Sequence, residues 1–168
     1  MNELILEQKI DPDFKNFFKF IKNKDIKLAI VSDGFDFYIN KILKKYDICD
    51  IECYCNKMEY HPDGLKIKFT YQNPRCDICG CCKSMVVNKY LSKNKKVVFI
   101  GDSYGDSYAV RISDVVFAKD KLSKFCKKND ITHVEYNNFA DILSHLKKMD
   151  FSDRFEFINN RKCIMIDE

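Results

Sequence analysis

Two aspartates four positions apart follow the apolar run Val97–Ile100 in the sequence VVFIGDSYGD. Asp102 and Asp106, on one glycine-punctuated loop, are the kind of donor a hard divalent cation takes: one or two carboxylates, with water and substrate oxygens filling the remaining positions. Ser32 follows a second apolar run, LAIV, and its hydroxyl together with the N–H groups of Asp33 and Gly34 suits phosphate oxygens. Lys83 opens the segment before the GDSYGD strand and brings an ammonium that would neutralise charge on a transferring phosphoryl group. Together these groups predict a site for phosphate and Mg²⁺.

Each group also has a plainer reading. Asp102 after a buried strand can be the N-cap of the next helix, Ser32 can cap the helix starting near Phe35, and Lys83 can be one more solvated lysine. The order of the groups along the chain is what favours chemistry.

The elements that must position them read as alternating strands and helices. Asp11-Pro12 predicts a helix start, and Phe14, Phe17, Phe18 and Ile21 recur at helical spacing to about Lys24. A strand is expected at Ile26–Val31, stopping at Ser32-Asp33-Gly34, then a helix carrying Tyr38, Ile39, Ile42 and Leu43. Ile51–Cys55 reads as a short strand, and 58–69 as a hairpin about the turn His61-Pro62-Asp63-Gly64. A helix over 83–92, the strand before Asp102, a helix near 106–112, and strands at 115–118 and 132–136 with helices at 122–127 and 139–149 complete the pattern. It predicts an α/β fold, a three-layer Rossmann-like and mostly parallel sheet with a small β-hairpin insertion. In such a sheet the strand-end groups gather at the carboxyl edge.

Composition narrows the class. The chain has 168 residues, 46% hydrophobic and 14% aromatic, enough to bury a core. Its 29 Lys+Arg against 25 Asp+Glu are scattered over helix faces, with no basic run interleaved with aromatics, so no nucleic-acid partner is expected. No apolar stretch reaches the length of a membrane span and no signal-peptide plan opens the chain, so a cytoplasmic location is expected. Nine cysteines, an odd number, read as reduced thiols. Cys76, Cys79, Cys81 and Cys82 nevertheless have the Cys-x2-Cys knuckle of a zinc site, so zinc is the rival metal and a zinc-stabilised interaction module the rival function.

Ser32 in VSDGFDFYI, Lys83 in CGCCKSMVVNKYL, and GDSYGDSYAVRISDVVFAKD resemble the second, third and fourth motifs of the haloacid dehalogenase superfamily of phosphohydrolases. The resemblance runs over about 10–149. It points to phosphoserine-phosphatase-like members, especially the 2-hydroxy-3-keto-5-methylthiopentenyl-1-phosphate phosphatases. It implies Ser32, Asp33, Gly34 and Lys83 as phosphate-binding, Asp102 and Asp106 as metal ligands, Lys83 and Asp106 as catalytic, and Mg²⁺ as cofactor. The substrate it implies is a small phosphorylated metabolite, hydrolysed through an aspartyl phosphate.

That family's nucleophile is the first aspartate of a D-x-D-G-T motif, and no such motif occurs in these 168 residues. Residues 1–149 are therefore expected to be an incomplete core, and 150–168 a C-terminal tail of unknown role. Asp11-Pro12-Asp13 lacks both the preceding strand and the glycine. Lys162–Asp167, KCIMID, is an apolar run ending in an acid, so Asp167 stands as a candidate nucleophile mimic beside the plainer reading of a packed terminal strand. Three ways of filling the absent strand follow: the strands close up, a second copy or an N-terminal fragment complements the chain, or the tail does. A catalytically inactive remnant that binds phosphate and Mg²⁺ is the remaining alternative.

Overall fold

The computed structural model describes residues 7–75, 79–93 and 95–149. The chain divides after Cys82 into two compact units.

In the first unit the helix start differs from expectation. Asp11 Oδ1 accepts the Asp13 amide at 2.8 Å and the Asp11 carbonyl accepts from Phe14 at 3.0 Å, so Asp11-Pro12 forms a turn ahead of the helix. An Asx turn with Pro's fixed φ satisfies these groups locally and moves the start two residues on. Helix α1, Phe14–Asn23, then buries Phe17, Phe18 and Ile21 on one stripe.

Strand β1, Ala29–Phe35, does not stop at Val31. It pairs in parallel with β2, Glu52–His61, from Ala29↔Glu52 to Val31↔Tyr54, and resumes at Phe35↔Asn56. Ser32, Asp33 and Gly34 thus stand opposite Cys55 alone, in a bulge that re-aims the chain before helix α2, Asp36–Lys45. The short strand and the hairpin expected separately are joined in β2. Its first half runs parallel to β1, and its second half, from Lys57↔Lys68 to His61↔Gly64, is antiparallel to β3, Gly64–Lys68. Gly64 sits at φ 128°, which L side chains rarely adopt, and so permits the turn. Tyr60, Leu65, Ile67 and Phe69 are more than half exposed along this ribbon.

In the second unit α3 (Lys83–Leu91), β4 (Val98–Gly101), a 3₁₀ turn (Tyr104–Asp106), α4 (Ser107–Val110), β5 (Val115–Ala118), α5 (Asp120–Lys128), β6 (Val134–Glu135) and α6 (Phe139–Leu146) follow in order. The sheet β4-β5-β6 is wholly parallel. A core of Val87, Phe99, Val110, Val116, Leu122 and Cys126 holds helices against it. Near-continuous apolar runs at 97–100 and 115–118 are what a strand covered on both faces requires. Strand β6 is shorter than expected because only Val134 and Glu135 find partners, on Phe117 and Ala118.

The strands among the described residues therefore form two three-stranded sheets, one in each unit, and the antiparallel β2–β3 pair is the small hairpin. No helix among the described residues is long and apolar enough to cross a membrane.

Candidate active site

The GDSYGD loop leaves the carboxyl end of β4 and folds back on its own last residue. Asp106 Oδ2 accepts from the amides of Asp102 at 3.1 Å and Ser103 at 3.0 Å and from the Ser103 hydroxyl at 3.2 Å. Gly101 must be glycine for this close approach, because a Cβ would lie 2.6 Å from Asp106 Oδ2 and 2.9 Å from Leu122 Cδ2. The plain reading of Asp102 as a cap fails: Ser103 precedes the 3₁₀ turn, and the Asp102 side chain stays exposed. No cluster of three or more His, Cys, Asp or Glu suited to a metal occurs among the described residues. The donor set at this loop fits Mg²⁺ all the same, since that ion keeps most of its waters and asks for one or two carboxylates beside substrate phosphate.

Lys83 is not solvated. Its Nζ lies 2.8 Å from Asp106 Oδ1, with the two side chains 11% and 7% exposed. A cation at the first position of a helix opposes the helix dipole, and burying it adds a desolvation cost; the Asp106 carboxylate offsets both. Asp106 thus spends Oδ2 on the loop and Oδ1 on Lys83, which locks the ammonium to the acidic turn. Lys119, Asp120, Glu135 and Tyr136 line an open, shallow depression at the carboxyl ends of β5 and β6.

In the first unit the bulge Ser32-Asp33-Gly34 is held at three points. Ser32 Oγ accepts the Gly34 amide at 3.0 Å, so Ser32 does not cap α2. Asp33 Oδ1 accepts the Cys81 amide at 2.9 Å, and the Asp33 carbonyl accepts from Asn56 Nδ2 at 2.8 Å. The Ser32 hydroxyl accepts from Gly34 through one of its two lone pairs and keeps an O–H that can donate. A Cβ on Gly34 would collide with the Tyr38 hydroxyl.

Among the described residues no cysteine cluster suited to the rival zinc site occurs; Cys76, one of its four candidate ligands, lies outside them, as does Asp167. Cys81 is buried and its thiol donates to the Tyr54 carbonyl at 3.4 Å, while Cys82 is buried and its amide donates to the Tyr71 carbonyl at 2.8 Å. Burial pushes the Cys53 and Cys55 thiols up from their ordinary range; Asp36 adds to the effect at Cys55 and Lys57 opposes it.

Two contributors escaped the sequence reading. Asn56, 2% exposed, falls where the strand was expected to end, and a polar residue interrupting the apolar Tyr54-Cys55 run was the available signal. In the sequence Tyr38 reads only as part of an apolar helix stripe, yet its hydroxyl fixes residue 34 as glycine.

The family model described as Putative Phosphatase matches residues 1–142. The 2-hydroxy-3-keto-5-methylthiopentenyl-1-phosphate phosphatase of Exiguobacterium sibiricum is 34% identical over 84% of this chain and 66% of its own length. The protein of the same name from Bacillus pumilus is 33% identical over 84% of this chain and 62% of its own length. The chain therefore spans a little under two thirds of these relatives. Among solved structures, a phospho-aspartyl intermediate analogue of phosphoserine phosphatase superposes with a TM-score of 0.65 at 19% identity, over 86% of this chain and 68% of that one. A substrate-bound phosphoserine phosphatase gives 0.63 at 19% identity, over 86% and 67%. These two likenesses bear on the fold, which is that of the haloacid dehalogenase phosphoserine phosphatases. The chain belongs to the Putative Phosphatase family.

Proposed function

We propose that this chain carries the metal- and phosphate-binding part of a phosphomonoester phosphatase acting on a small phosphorylated metabolite. The observation that carries the reading is the buried Lys83–Asp106 pair beneath an exposed Asp102. Two carboxylates on one rigid loop, with the ammonium at the start of α3 locked to one of them, match a transferring phosphoryl group and its cation.

Asp102 is the residue that would hold Mg²⁺ directly, with Asp106 behind it as a positioning residue. When bound, the cation supplies charge neutralisation on the phosphoryl oxygens. Lys83 adds a fixed positive charge that needs no reorganisation during the reaction, and Ser32 donates its hydroxyl proton to a phosphoryl oxygen. Asp33 and Gly34 shape the turn that presents Ser32. The nucleophile, in the family's manner, is a carboxylate that attacks phosphorus and expels the alcohol, the resulting aspartyl phosphate being cleaved by water. No D-x-D-G-T segment lies in this sequence, so that carboxylate is assigned to a segment outside these 168 residues.

The test is hydrolysis of p-nitrophenyl phosphate with Mg²⁺ by this chain, alone and mixed with the D-x-D-G-T-bearing N-terminal part of a relative. Turnover is expected only in the mixture and is lost in Asp102→Asn. Robust turnover by the isolated chain would overturn the assignment of the nucleophile, and turnover indifferent to Asp102 would overturn the metal role. Phosphate binding without turnover in the mixture would instead establish the inactive, ligand-binding reading.

A further inference from the structure

The peptide unit joining Asp33 to Gly34 is gripped at both ends. Its carbonyl accepts from Asn56 Nδ2 at 2.8 Å, and its N–H donates to Ser32 Oγ at 3.0 Å. A peptide is planar, so fixing the carbonyl fixes the N–H, and the N–H in turn sets which way the Ser32 hydroxyl presents its proton. Gly34 lacks a Cβ because Tyr38 occupies that space, and a glycine there leaves the peptide free to rotate unless something external holds it.

Asn56 is that external hold, and stability alone does not account for it. The side chain is 2% exposed and its Oδ1 is buried with no hydrogen-bond partner. A buried acceptor without a donor is a cost that an apolar side chain of similar volume would not carry. The amide orientation is settled by its neighbour, since only the NH₂ group can face the Asp33 carbonyl. Gly80 makes room for it: a Cβ at that position would come within 3.1 Å of Asn56 Nδ2.

We infer that Asn56 is a positioning residue of the phosphate-binding turn: by clamping the Asp33–Gly34 peptide it holds Ser32 ready to donate to a phosphoryl oxygen. The inference rests on the assignment of Ser32 to phosphate. Asn56 touches no reacting atom in this account and acts through Ser32.

Titration of the full chain with inorganic phosphate, followed at the Gly34 and Cys81 amide resonances, tests it in three proteins: the unaltered chain, Asn56→Leu and Asn56→Asp. Asn56→Leu keeps the branched shape, with somewhat greater bulk, and removes both the clamp and the orphaned acceptor; Asn56→Asp keeps the shape and, as the carboxylate, removes the donor. Both are expected to weaken phosphate binding by about tenfold or more, while the thermal midpoint of Asn56→Leu does not fall and Mg²⁺ titration at the Asp102 amide stays within about twofold. Phosphate affinity within about twofold of the unaltered chain in either folded variant would overturn the inference. Failure of both variants to fold would overturn it too, because the side chain would then serve stability. Absence of any phosphate response in the unaltered chain would instead refute the assignment of Ser32.

Discussion

The GDSYGD loop is held by its own last residue, whereas the Ser32–Gly34 bulge is held by side-chain and backbone groups 23 and 48 positions away, at Asn56 and Cys81. Asp106 reaches back three and four residues, so the acidic loop is a local structure that forms once β4 and Lys83 are in place. The bulge depends on β2 and on the segment after the hairpin. If Asp106 presents Asp102 to a cation as proposed, two carboxylates of like charge must be held side by side, which calls for short, rigid anchoring. A serine hydroxyl carries no such repulsion, and a longer-range clamp is sufficient for it.

The comparison is broken most severely at Asp106. Asp106→Ala strands the Lys83 ammonium in a buried position and releases the Asp102 and Ser103 amides, and is expected to cost about 3–5 kcal/mol in urea denaturation. A loss under about 1 kcal/mol would mean that Lys83 finds water or another carboxylate, and that the loop is not anchored as described. A smaller effect is expected at the bulge. Gly34→Ala forces the Tyr38 ring aside, at about 1–3 kcal/mol, and Tyr38→Ala in the same chain should recover part of the loss. Full additivity of the two substitutions would contradict the steric account.

Legibility in the sequence followed the same division. Asp102, Asp106 and the strand before them could be read from ten consecutive residues, because the apolar run, the glycines and the acids all act locally. Lys83 was legible from its place and its motif, but its buried pairing was not, since its partner Asp106 is 23 residues away. Ser32 was legible as a polar group after LAIV, but the bulge was not, because it exists only through the slip of register against β2. Asn56 was lost to the expected strand boundary for the same reason: its partner is 23 residues away. The β2–β3 hairpin was plain from Pro62-Asp63-Gly64, while its continuity with the parallel half of β2 depends on which strands meet, and no local pattern encodes that.

The smallest effect concerns the thiols. Cys53 and Cys55, raised by burial, hold their protons more tightly in the folded chain than in the unfolded one. Above about pH 8.5 the unfolded state ionises first and binds fewer protons, so stability should decline as pH rises through that range and level off once the folded thiols also ionise. The decline should be reduced by Cys53→Ser together with Cys55→Ser, measured by urea denaturation between neutral and alkaline pH. A flat profile in the unaltered chain would contradict the burial argument.

The central claim, that the acidic loop is built to hold a divalent cation, is tested most directly by titrating Mg²⁺ into the chain and following the Asp102 and Ser103 amides. A saturable response is predicted, lost in Asp102→Asn and retained in Ser32→Ala. A response that is absent, or that survives unchanged in Asp102→Asn, would contradict it.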